Sequence, residues 1–122
     1  MEKVTGIGGV FFKTRDPEAM ADWYRRNLGI ASNDGNAIFE WRDPQGGEGQ
    51  TVWALFPANT DHLGPPSTSF MINYRVADMT GLLEELRKAG VNIEKTEDHE
   101  YGRFAWITDP EGNRIELWEP KS

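Results

Sequence analysis

Glu116 is the residue of this chain whose type and setting best suit chemistry. It stands in Arg114-Ile115-Glu116-Leu117-Trp118, a stretch rich in alternating polar and apolar residues. Side chains alternate across a strand, so Ile115 and Leu117 point one way while Arg114, Glu116 and Trp118 point the other. That second face is either a solvent surface or the lining of a cavity. In a cavity the carboxylate has two readings, a lone general base or the structural ion-pair partner of Arg75 or Arg114. Trp53, Trp106 and Trp118 also lie in strand-like stretches. They either stack on a planar or cationic ligand or fill the interior themselves. His62 falls in a polar connector and His99 in a polar turn, so neither is expected to share a face with Glu116. The chain has no cysteine, which removes disulfides, thiolate metal ligands and cysteine nucleophiles.

The elements that must position these residues read as follows. Residues 7–13 form a strand, and Asp16-Pro17 open a helix, aspartate as cap and proline at the first helical position. Met20, Trp23, Tyr24 and Leu28 recur at helical spacing until Gly29. Strands follow at 38–42 and 51–56, joined by the turn formers Asp43-Pro44-Gln45-Gly46-Gly47. Residues 58–68 are a polar connector. A strand at 70–76 leads to Asp78, cap of a helix whose apolar positions are Met79, Leu82, Leu83, Leu86 and Ala89. A short strand near 91–95, a strand over 103–108, the turn Asp109-Pro110-Glu111-Gly112-Asn113 and a final strand complete the chain.

The plan is repeated. Asp16, Gly29 and the Asp43-Pro44 turn match Asp78, Gly90 and the Asp109-Pro110 turn. A half of about 55 residues with one helix buries too little to stand alone. The expectation is one α+β domain over 1–122, with modules at about 5–57 and 69–120. These are two βαββ(β) units forming a curved mixed sheet around a cavity, helices outside.

Net charge is −7, with 38% hydrophobic and 27% charged residues. An acidic surface disfavours nucleic acid and anionic membranes as partners. No apolar run approaches the roughly 20 residues that span a bilayer. Met1–Thr5 lacks the basic-then-apolar pattern of a signal peptide, so the cytoplasm is the expected location.

Asp16-Pro17 before Trp23-Tyr24-Arg25-Arg26-Asn27-Leu28-Gly29-Ile30, together with Asp109-Pro110-Glu111-Gly112-Asn113-Arg114-Ile115-Glu116-Leu117, resembles the vicinal oxygen chelate superfamily. That group includes glyoxalase I, extradiol dioxygenases, and fosfomycin- and bleomycin-resistance proteins. The resemblance covers essentially the whole chain and implies paired βαββ(β) modules, commonly assembled as homodimers. Enzymes of the superfamily hold one divalent metal through four inward strand positions. Carried over, these are Gly9, Met71, Glu116 and, with Gly49 set against Gly112, Trp53. Only Glu116 keeps a suitable donor, and one carboxylate does not hold a metal that needs three or more protein ligands. The resemblance therefore implies no metal and no cofactor here. Strand parity gives a ligand-lining set of Phe11, Trp53, Met71, Asn73, Arg75, Phe104, Trp106, Glu116 and Trp118. The function expected is metal-free binding of a small aromatic or cationic organic molecule. The alternative is a metal-dependent or Glu116-dependent lyase, isomerase or dioxygenase.

Overall fold

A computed structural model describes residues 4–42 and 46–121. The elements are β1 (Val4–Thr14), α1 (Pro17–Leu28), β2 (Asn36–Arg42), β3 (Glu48–Pro57), β4 (Phe70–Val76), α2 (Met79–Lys88), β5 (Lys95–His99), β6 (Gly102–Thr108) and β7 (Arg114–Pro120). They divide into an N-terminal module, residues 9–71, and a C-terminal module, residues 72–121 together with 4–8. The order is βαββ in the first and βαβββ in the second, the α+β repeat expected. Asp43, Pro44 and Gln45, three of the five residues of the expected β2–β3 turn, lie outside the described residues.

In the N-terminal module β3 runs parallel to β1 and β2 antiparallel to β3. Asp16 starts α1 by accepting from the Ala19 N–H at 3.1 Å, and Pro17 occupies the first turn, where a missing N–H costs nothing. Gly29 ends it at φ +73, a left-handed position that a side chain would resist. The β1–β3 register pairs Val10 with Trp53, Phe11 with Ala54 and Phe12 with Leu55. Trp53 therefore shares the face of Phe12. Its ring packs edge-on against Phe12 and against Tyr24 of α1, centroids 5.6 and 5.0 Å away. The opposite face carries Phe11 against Phe56 at 5.4 Å.

In the C-terminal module β7 runs parallel to β4, β6 antiparallel to β7, and β5 antiparallel to β6. Val76, Met79, Leu83, Ala105, Ile107 and Leu117 form the core beneath α2. Each large side chain buried there contributes about 1.5–3 kcal/mol. Asp78 caps the helix through the Gly81 N–H at 3.1 Å, and Glu119 takes the Met79 N–H at 2.6 Å. The turn before β7 is held by Asp109, whose Oδ1 accepts from the Glu111 and Asn113 N–H groups, both at 2.9 Å.

Three expectations are corrected. The strand near 91–95 starts at Lys95 instead, because Val91 and Ile93 turn onto the α2 core and leave the ladder to the polar run that follows. His99 is accordingly the last residue of a strand. The connector 58–68 is more than a polar tether, since its Leu63 is fully buried and its His62 ring lies parallel to Phe56, 5.4 Å away at 10°.

Candidate functional site

The C-terminal module presents its chemistry on the face opposite α2. Register puts Asn73 beside Glu116 and Arg75 beside Trp118 across β4 and β7. It puts Trp106 beside Glu116 and Phe104 beside Trp118 across β6 and β7. The outer strand adds Lys95 beside Trp106 and Glu97 beside Phe104. One face thus collects these polar and aromatic side chains by strand alternation alone.

Glu116 is buried, at 4% exposure. Asn73 Nδ2 donates to its Oε1 at 2.6 Å, and Trp106 Nε1 donates to its Oε2 at 2.8 Å. A buried carboxylate is costly unless its oxygens are met by donors, and both are met. Arg75 and Arg114, the expected ion-pair partners, each lie over a ring. The Arg75 guanidinium is 6.0 Å from the Trp118 centroid and that of Arg114 5.9 Å from Trp106. Lys95 Nζ joins them over Trp106 at 5.4 Å.

The aromatic side chains form a row. Phe104 lies near-parallel to Trp106 (6.1 Å, 16°) and to Trp118 (6.3 Å, 11°). Trp106 is buried, whereas Phe104 and Trp118 are half-buried. Two glycines make room for Trp118. A Cβ on Gly102 would lie 2.5 Å from its Nε1, and one on Gly8 would lie 2.9 Å from its Cε3 while colliding with Asn73 Oδ1. Asn73 Oδ1, Arg114 Nε and Trp118 Nε1 are buried and have no hydrogen-bond partner among the described residues.

The row continues onto the outer strand, which sequence reasoning missed. His99 lies parallel to Tyr101 at 5.0 Å and edge-on to Phe104 at 5.9 Å, and its Nε2 is 2.8 Å from Glu97 Oε1. Glu97 also receives Lys95 at 2.8 Å. Those hydrogen bonds, from Lys95 first and His99 second, hold the Glu97 carboxyl below its ordinary value. His99 therefore shares the sheet face of Glu116, contrary to expectation. The signal was the period-two spacing of Lys95, Glu97 and His99, hidden because only Thr96 in Lys-Thr-Glu-Asp-His favours a strand.

The other expected lining residues are distributed differently. Phe11 is nearly buried and meets Phe56 and His62, while Met71 is fully buried. Trp53 leaves the set, because it faces α1. The observed register makes Ala54, paired with Phe11, the counterpart of Glu116, paired with Asn73. The four metal positions implied by resemblance thus hold Gly9, Ala54, Met71 and Glu116, a donor set that does not fit a divalent cation. Among the described residues no three His, Asp or Glu side chains cluster in a way that would ligate one.

Among the described residues no helix is long and apolar enough to cross a membrane. No curated protein matches the chain. Among solved structures, methylmalonyl-CoA epimerase from Mycobacterium tuberculosis is 24% identical, with 98% of this chain and 90% of that chain covered and a TM-score of 0.60. A Streptomyces coelicolor methylmalonyl-CoA epimerase variant in complex with 2-nitronate-propionyl-CoA is 18% identical, with 98% and 97% covered and a TM-score of 0.71. A glyoxalase/bleomycin resistance protein/dioxygenase superfamily member from Vibrio splendidus 12B01 is 10% identical, with 98% and 99% covered and a TM-score of 0.58. At these identities the likeness is one of fold. The profile of the Glyoxalase/Bleomycin resistance protein/Dioxygenase superfamily matches residues 6–117, and with its two βαββ(β) modules the chain belongs to that superfamily.

Proposed function

We propose that this protein is a metal-free member of its superfamily that binds a small aromatic organic molecule on the inner face of its C-terminal module. The observation that carries the reading is the half-buried, near-parallel Phe104–Trp118 pair beside a buried carboxylate whose position Asn73 and Trp106 set. Between aromatic and cationic ligands, the three side-chain cations already lying over these rings support an aromatic one. The single carboxylate in the implied ligand set supports the absence of a resident metal. Elemental analysis of purified protein should give zinc, nickel, iron and manganese well below one per chain.

Fluorescence titration tests the binding reading, with 1-naphthoate, 1-naphthol and ethidium as probes. The two naphthalenes should quench saturably in the micromolar range. Trp118→Leu and Phe104→Leu should each weaken them about two- to tenfold, the worth of one stacked pair. Absence of saturable quenching, or unchanged affinity in both variants, would overturn the proposal.

A second reading is proton transfer at Glu116 in an isomerase or lyase. A carboxylate fixed through both oxygens supports it, as does fold likeness to epimerases. Deuterium exchange from solvent into an acyl thioester or 2-oxo compound, abolished by Glu116→Gln, would establish it. Assembly as a homodimer is part of the proposal, on the family resemblance alone.

A further inference from the structure

We propose a second ligand site, on the N-terminal module, in the cleft between the β1–α1 corner and the first two turns of α1. Its ligand is an amphipathic organic anion, the ring lying on Trp23 and the acid group at Lys13 and Arg15. The cleft has a volume of about 760 Å³, within the range of small-molecule pockets. Lys13, Arg15, Ala19, Met20, Trp23 and Tyr24 supply most of its wall.

Three observations converge on it. First, the apolar stripe of α1 is left uncovered. No residue of this helix is buried, and Met20 and Trp23 are 36% and 48% exposed, whereas α2 buries Met79 and Leu83. Second, Trp23 is exposed yet supported. Its ring meets Tyr24 edge-on at 5.2 Å, and Tyr24 is fixed in turn by Phe12 and Trp53. A ring held this way offers a face at little cost in side-chain freedom. Third, the charge is cationic where the chain as a whole is acidic. Among the described residues Lys13 Nζ meets only the Pro66 carbonyl, at 3.4 Å, and Arg15 has no ion pair. Of the nearby acids, Asp16 also lines the cleft, leaving its charge at +1 from Lys13, Arg15 and Asp16, while Glu18 lines a separate cleft. Asp16 Oδ1 caps the helix, and Asp22 is held by Arg25 and Arg26. Two unspent cations beside an apolar wall complement a ligand that is apolar at one end and anionic at the other.

The test uses the whole chain with two probes of one shape, the anion 1-anilinonaphthalene-8-sulfonate and neutral N-phenyl-1-naphthylamine. The sulfonate should bind about tenfold more tightly than the amine, the worth of one charge-assisted contact. The double change Lys13→Glu/Arg15→Glu should erase that difference. Trp23→Ala should weaken both probes while leaving the thermal midpoint nearly unchanged, because the ring is half exposed. Amide shifts in ¹⁵N-labelled protein should centre on residues 13–24. Equal affinity of the sulfonate for the wild type and the charge-reversed chain would overturn the proposal. So would shifts centred on residues 102–118.

Discussion

Glu116 is fixed by donors that would themselves be stranded without it. Glu116→Ala leaves Asn73 Nδ2 and Trp106 Nε1 without their carboxylate in a buried setting. Each stranded group costs about 1–3 kcal/mol, so urea unfolding should show a marked drop in midpoint at unchanged slope. Glu116→Gln, of the same size, should cost less. Trp106 is 4% exposed and spends its N–H internally, so Trp106→Ala should cost about 3–5 kcal/mol, the behaviour of an interior ring. Trp118 differs, being half-buried and seated on glycines, and belongs to the surface proposed to meet the ligand. The alternation around Glu116 was enough to expect its face. Its partner Asn73, 43 positions earlier, was expected on that face, but nothing local to either residue announces the bond between them.

Elements were legible where the chain punctuates itself. Asp16-Pro17, Gly29, Asp78 and Gly90 mark both helices, and each cap forms the bond its residue type implies. Register was not legible, because it depends on which strand lies alongside. Setting Gly49 against Gly112 assumes a 63-residue offset and puts Trp53 on the inner face. The helix caps Asp16 and Asp78 are 62 apart, and so are Ala54 and Glu116. That offset was the available signal, and a slip of one residue inverts a strand. The β6–β7 turn carries a pH expectation. The Asn113 side chain first, and then backbone N–H groups, hold the Asp109 carboxyl below its ordinary value. A carboxylate with a lowered folded-state value stabilises above its unfolded value, and that contribution is lost as pH falls through the folded one. The Glu111 and Asn113 amides should therefore shift with a midpoint below that of an unstructured aspartate. A midpoint at the unstructured value would remove the turn's electrostatic rationale.

At the scale of the molecule, the repeat announced the architecture and composition bounded the partners. A net charge of −7 argues against polyanions, and titration with duplex DNA at moderate salt should give no saturable binding. Light scattering at micromolar concentration should return twice the 13.8 kDa chain mass, in keeping with closed twofold pairing. A mass of one chain would confine any ligand site to a single copy. Ligand identity was not legible, because both helix motifs and the final turn specify backbone shape rather than what the inner face holds.

The two glycines flanking Trp118 have a further consequence. Gly8 and Gly102 shape a vacancy to the outline of one indole. In Trp118→Gly that outline should remain as a preformed receptor, as apolar cavities left by truncation accept rings of matching size. Free indole, but not the bulkier 3-phenylindole, should then raise the melting temperature of the truncated protein in a dose-dependent way. Such chemical rescue would turn a half-buried side chain into an exchangeable part, and the protein into a sensor for its own missing ring.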